Sequence, residues 1–103
     1  MCRPVASWAR PTPWLYGITI DEDEYGRSRT ELAELLESAS IETRPFFIPV
    51  HTLPPYRATA AAHGTHLPVT DRLGATGLSL PTSSTMSDED VDRVCEAIEQ
   101  ARR

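Results

Sequence analysis

Proline placement between Arg44 and Tyr56 constrains this chain more than any other feature of its sequence. The stretch reads Arg44-Pro45-Phe46-Phe47-Ile48-Pro49-Val50-His51-Thr52-Leu53-Pro54-Pro55-Tyr56. Proline has no amide proton to give to a strand ladder, so a strand entering over Ile41–Ile48 has to stop at Pro49, and the Pro54-Pro55 pair keeps it from resuming. What remains is a stiffened turn that presents Arg44, Phe46, Phe47, His51 and Tyr56. Aromatic faces take a ring or a base, an imidazole exchanges hydrogen bonds with a phosphate or hydroxyl, and a guanidinium pairs bidentately with phosphate or carboxylate. Such a set suits a cleft beside a polar aromatic ligand, and functional side chains concentrate on loops of this kind. Each residue also has a structural use. Phe46 and Phe47 alternate sides of an extended chain, so at least one is expected in the core, and Arg44 can pair with a helix carboxylate instead of a ligand.

The flanking segments have clear periodicities. Trp14–Ile20 is aromatic and β-branched and predicts a strand, closed by the polar turn Asp21–Gly26. Ser28 and Glu31 have capping-box spacing, and Leu32, Leu35, Leu36 and Ala39 fall on one helical face, so a helix is expected from Ser28 to Ser40. Arg57–His66 holds no large apolar residue and is expected as a surface loop or a frayed helical turn, Asp71–Gly74 as one helical turn, and Thr76–Leu80 as a short strand ended by Pro81. Ser87 and Asp90 cap the final helix, Met86 and Val91 staple it, and Val91, Val94, Cys95 and Ile98 form its expected core stripe. The predicted architecture is α/β (α+β): strand, helix, strand, loop, strand, helix, with a short sheet and helices packed on one face.

At 103 residues the chain holds one modest core. Its net charge of -5 and scattered arginines leave no footprint for nucleic acid. It has no apolar run of the ~18 residues that a membrane helix needs, and Met1–Pro13 lacks the apolar stretch of a secretory signal, so a cytoplasmic location is expected. Cys2 and Cys95 do not make a disulfide scaffold. All ten basic residues are arginine, and arginine cannot deprotonate to serve as an amine nucleophile.

Other chemistries fit poorly. The acidic run Asp21–Glu24 begins like a calcium loop, but Leu32 stands where the closing glutamate belongs. His63 and His66 lack a further ligand nearby in sequence, so no metal is expected. Gly77-Leu78-Ser79-Leu80-Pro81 is not a nucleophile elbow, because Pro81 replaces the second glycine.

Several separated motifs occur in a recognisable order: Trp14-Leu15-Tyr16-Gly17-Ile18, Arg29-Thr30-Glu31-Leu32, Ile41 through His51, Pro54-Pro55-Tyr56, Leu67-Pro68-Val69, Gly77 through Pro81, and Met86-Ser87-Asp88-Glu89-Asp90. Together, from about Val5 to Ile98, they resemble the C-terminal domain of the DegT/DnrJ/EryC1/StrS sugar aminotransferases, perosamine-synthase-like members above all. The resemblance implies the small domain of a fold-type-I transferase that uses pyridoxal 5'-phosphate. Such an enzyme moves an amino group from an amino acid, usually glutamate, to a nucleotide-linked keto-deoxysugar, and it works as a homodimer. The lysine and aspartate that hold the cofactor then belong to a preceding large domain. Residues 1–13 are accordingly expected as an irregular junction and 14–103 as the small domain.

With no lysine, no catalytic residue is assigned in this chain. Alone it is expected neither to bind pyridoxal phosphate nor to catalyse the transfer. By the same resemblance, Phe46, Phe47 and His51 approach the cofactor and sugar region, and Arg44 and Tyr56 complete the substrate-binding set. The chain would be the tail of an aminotransferase, as a gene fragment, a truncated reading frame with Met1 as an apparent start, or half of a split protein. A non-catalytic module that binds a sugar nucleotide or a protein, and a structural remnant, are the alternatives.

Overall fold

The computed structural model describes residues 5–12 and 14–103. The expectations for Met1–Pro4, Cys2 among them, and for Pro13 lie outside the described residues. Residues 5–12 form one turn, with the Ala9 amide donating to the Ala6 carbonyl at 3.0 Å, and contain no helix or strand.

Three short strands make the sheet: β1 (Gly17–Thr19), β2 (Arg44–Pro45) and β3 (Gly77–Ser79). β3 lies between the other two and pairs antiparallel with both, setting Ile18 opposite Leu78 and Pro45 opposite the same Leu78 on the other side. The expected strand Ile41–Ile48 is thus reduced to two residues. Its partner β3 is itself only three residues long, and Pro45 offers no amide to a ladder.

Local capping chemistry fixes the helices around the sheet. Asp21 accepts from the amides of Asp23 and Glu24 at 3.2 and 3.4 Å, so the acidic run expected as a turn winds into α1 (Glu22–Tyr25). Gly26 ends it at φ 81°, a left-handed conformation that glycine adopts without strain. In α2 (Arg29–Ser38) the capping box is complete: Ser28 Oγ accepts from the Glu31 amide at 3.2 Å, and Glu31 accepts from the Ser28 amide at 2.8 Å. At its other end Ser40 takes φ 59°, which lets the Ile41 amide reach the Leu36 carbonyl at 2.8 Å and the Ser40 amide that of Glu37 at 2.8 Å. This is a Schellman closure with serine in the position that glycine usually fills. Ser87 and Asp90 form the second capping box at the start of α5 (Asp88–Gln100).

The core is the meeting of α2 and α5 with the sheet. Leu32, Leu36 and Leu78 are fully buried, and Ile20, Ile41, Val94 and Ala101 close around them. Both expected stripes need correction. Leu35 and Ala39 are exposed on α2, and on α5 Val91 and Cys95 are exposed while Ala97, Ile98 and Ala101 join Val94. The end of α5 is tied to α1: the Tyr25 hydroxyl donates to the Ile98 carbonyl, and Arg27 Nε donates to the Ala101 carbonyl at 2.5 Å. Burial pushes the Tyr25 phenol above its ordinary value, against the smaller opposing pull of Arg27 and Arg102.

Between β2 and β3 the chain is more helical than its composition predicts. A 3-10 turn (Val50–Thr52) leads into α3 (Pro54–Ala62) and then α4 (Pro68–Thr76), where a surface loop or frayed helical turn and then a single helical turn were expected. Pro54-Pro55 and Pro68 lie in the opening turns of these helices, where the missing amide is an orphan in any case.

Candidate functional site

The five candidate residues do not share one cleft, and Arg44 also lines a third, on the side of α2. Arg44, Phe46 and Phe47 line the first, of about 460 Å³, together with Trp14 and Leu15. His51 and Tyr56 line the second, of about 430 Å³, together with Val50, His63 and Leu67.

Phe46 is a wedge. Its ring lies across β1 and β3 where both carry glycine: a Cβ on Gly17 would meet the ring at 2.6 Å, and one on Gly77 would meet it at 2.1 Å. The side chain is half-buried, so it serves the fold and walls the cleft at once. Phe47, pointing the other way along extended chain, is 79% exposed. The alternation expected from sequence is therefore resolved, with Phe46 packed and Phe47 free. Arg44 is held by the Glu42 carboxylate two residues away, not by a helix carboxylate, and both side chains are largely exposed. An exposed pair of this kind contributes little stability, so the guanidinium can leave it for a phosphate or carboxylate at small cost.

His51 is the best-anchored of the five. Its side chain is only 16% exposed, and its Nε2 lies 2.9 Å from Asp71 Oδ1 on α4. With Nε2 engaged by the carboxylate, Nδ1 is the ring atom left for a ligand. Tyr56, on the first turn of α3, is half exposed. Sequence reasoning missed two residues that shape this region. Asp71 orients His51, and Gly74 lets α4 lie against Pro49, since a Cβ there would fall 2.9 Å from the proline ring. The one available signal was that Asp71 is the sole acidic residue between 43 and 87.

Among the described residues, no group of three or more His, Cys, Asp or Glu side chains is arranged to hold a metal ion, and no helix is long and apolar enough to cross a membrane. A cofactor such as pyridoxal phosphate needs a lysine amine for attachment. Neither cleft supplies one, because the chain has no lysine. These residues do not by themselves fit that group.

The sequence model of the DegT/DnrJ/EryC1/StrS aminotransferase family matches residues 3–99. The chain is 33% identical over 96 residues to the GDP-perosamine synthase of Caulobacter vibrioides, covering 93% of this chain and 25% of that protein. Among solved structures, a DegT DnrJ EryC1 StrS aminotransferase from Brucella abortus superimposes with a TM-score of 0.69 at 24% identity, over 85% of this chain and 22% of that one. A Streptococcus pneumoniae protein assigned as a sugar aminotransferase, in its PMP form, does so at 0.68 and 20% identity, over 84% and 21%. The chain thus spans about a quarter or less of the length of the proteins it matches.

Proposed function

The chain belongs to the DegT/DnrJ/EryC1/StrS aminotransferase family, and on that footing we propose that it is the C-terminal domain of an enzyme moving an amino group from an amino acid, glutamate by preference, to a nucleotide-linked keto-deoxysugar. The observation that carries this reading is the match to a GDP-perosamine synthase over 93% of the chain, a span long enough to take in all of Arg44–Tyr56. Pyridoxal phosphate would supply the amino-group chemistry, from a lysine-bearing large domain in a homodimeric cytoplasmic enzyme. This chain alone would be inactive.

The role left to this domain is to wall and orient the sugar nucleotide. Phe46, braced on Gly17 and Gly77, is a fixed apolar wall. Phe47, exposed beside it, stacks on a base or on the apolar face of a sugar. Arg44 exchanges Glu42 for a phosphate oxygen. His51, held through Nε2 by Asp71, turns Nδ1 toward a sugar hydroxyl or phosphate, with the Tyr56 hydroxyl across the same cleft.

A chimera tests the reading: this chain in place of the matching last quarter of the Caulobacter enzyme. The expected result is amino transfer to the keto-sugar, and His51→Ala should slow the keto-sugar half-reaction by about tenfold or more, about 1.4 kcal/mol, while sparing the amino-donor half-reaction. Equal loss in both half-reactions with a lowered melting temperature would make His51 a packing residue. A soluble chimera active in neither would sink the proposal. Treating the chain alone with pyridoxal phosphate and borohydride should label no interior residue.

A further inference from the structure

The sheet has two outer edges, and they are finished differently. On β2 the Phe46 amide turns inward to the Gly77 carbonyl at 3.1 Å, so by alternation Pro45 faces outward. Its missing amide, with the charged Arg44 beside it, closes that edge to further pairing. β1 has no such device. Tyr16 accepts from the Leu80 amide at 2.9 Å and Ile20 donates to the Thr76 carbonyl at 3.0 Å, and with Ile18 opposite Leu78 the even-numbered residues give their backbone to β3. Gly17 and Thr19 therefore turn their amides and carbonyls to the open side. Both are exposed, and among the described residues none pairs with them there.

The same edge is uncharged: residues 11–20 hold no Asp, Glu, Arg or Lys. An occupant has to be uncharged as well and has to keep its own acids away from Asp21–Glu24. A second copy running antiparallel meets both conditions. Centred on Ile18, the pairing sets Gly17 opposite the partner's Thr19 and Ile20 opposite the partner's Tyr16, and the acidic run of each copy meets the uncharged start of the other. Directly opposite residues share one face of a sheet. Ile18 and Ile20 face the helices, so the partner's Tyr16 arrives on the helix side, next to Ile20. A cleft of about 290 Å³ opens there, lined by Ile18, Ile20, Tyr25, Leu32, Ile98 and Arg102 and by no residue of β3, which places it on the open side of β1. It holds about ten water volumes, room for one tyrosine side chain. Tyr16 itself is 64% exposed, with its amide anchored on Thr82 Oγ1 at 3.0 Å, an aromatic side chain held out at the same edge.

We propose that the free edge of β1 is a self-association surface, on which two copies pair antiparallel about a twofold axis through Ile18, joining their three-stranded sheets into one and seating each Tyr16 in the other's cleft. Gly17 and the partner's Thr19 exchange amide and carbonyl hydrogen bonds, as do the reciprocal pair, and these fix the register. The contact is isologous and closes at two copies. It stands apart from the sugar-nucleotide reading, because none of the five candidate residues lies on β1, and the β2 strands that lead into the Arg44–Tyr56 segments come to lie at the two outer ends of the joined sheet.

Three-residue strands bury less than a standard interface, so the dimer should be weak, with a Kd on the order of 100 μM. Sedimentation of the chain between about 10 μM and about 1 mM should show monomer passing to dimer and nothing larger. Hydrogen exchange reads the edge directly: the Gly17 and Thr19 amides should exchange about fourfold more slowly at the upper concentration by mass action. Tyr16→Glu sets a carboxylate against the partner's Asp21 and Glu24, which also line the cleft, and Thr19→Pro removes an outward amide. Each should weaken the dimer about tenfold or more without shifting the urea midpoint measured at the lower concentration. Should Thr19→Pro lose its cooperative unfolding transition, Tyr16→Glu, which leaves the backbone intact, decides. A chain still monomeric at the upper concentration, an open-ended series of oligomers, a dimer indifferent to Tyr16→Glu, or edge amides that exchange at one rate throughout would each overturn the proposal.

Discussion

Helices α2 and α5 carry their own stability, whereas α3 and α4 have almost none of the devices that would supply it. The first pair is closed by two complete capping boxes and buries Leu32, Leu36 and Val94 against the sheet. Arg93 reaches back from α5 to the Ala39 carbonyl at 2.6 Å, satisfying an orphan acceptor at the end of α2. The second pair begins on prolines, buries nothing, and is held mainly by His51–Asp71 and the approach of Gly74 to Pro49. The contrast teaches that helical backbone and helical stability are separate properties. In one region stability comes from burying apolar side chains against the chain's own sheet, and in the other it rests on local hydrogen bonds and a few close approaches.

The largest expected effect lies in the core. Leu36 is fully buried and sits in the Schellman closure against Ile41, so Leu36→Ala should cost about 2–5 kcal/mol in urea denaturation. Leu35→Ala, one position along and exposed, should cost far less. Comparable costs at the two positions would mean that the burial contrast is wrong. A smaller loss is expected where the regions meet. Gly77→Ala would place a Cβ 2.1 Å from the Phe46 ring and 2.5 Å from the Leu73 carbonyl of α4. The ring can swing, but the carbonyl is backbone, so a loss of about 1–3 kcal/mol is expected, with α4 displaced from the sheet.

The capping boxes were legible because they are strictly local: a serine and an acid three residues apart state the helix start without any tertiary information. The α5 stripe was misread because its buried face uses Ala97 and Ala101, whose small side chains register weakly beside Val91 and Cys95. The α3–α4 segment was misread for a related reason. An alanine- and threonine-rich segment with nothing to bury gives no amphipathic signal, and Pro54-Pro55 stops a strand as readily as it opens a helix. For the candidate site, the sequence named five side chains but not their separation onto different clefts. That division depends on Phe46 lying over glycines at 17 and 77, and on a His51–Asp71 pair twenty residues apart.

Removing the caps should have a middling effect. Ser28→Ala and Ser87→Ala should each cost about 1 kcal/mol. The carboxylates concerned also set a pH dependence. Hydrogen bonds from the Ser28 backbone and side chain hold Glu31 below its ordinary value, and Ser87 does the same for Asp90. The folded values being depressed, the stabilisation is complete above the ordinary carboxylate range near pH ~4 and is lost as pH falls through the lower folded values. Acid titration of stability should therefore flatten in that window in the double serine variant. An unchanged acid limb would show that the caps do not report on the cooperative unit.

The smallest effect is the one that separates the two regions most cleanly. Glycine inside a helix costs about 0.5–1 kcal/mol relative to a better helix former, because the unfolded chain gains freedom that folding must remove. Glu34→Gly, on the exposed side of α2, should show that cost in the global urea midpoint, since α2 unfolds with the core. Ala61→Gly, on the exposed side of α3, should leave the midpoint unmoved within about 0.5 kcal/mol while lowering the helical signal of the native state, because α3 buries no residue and opens without the core. If both substitutions shift the midpoint equally, α3 belongs to the same cooperative unit as α2. If only Glu34→Gly does so, α3 opens apart from the α2–α5 core, and the difference between the two shifts measures how weakly the two regions are coupled.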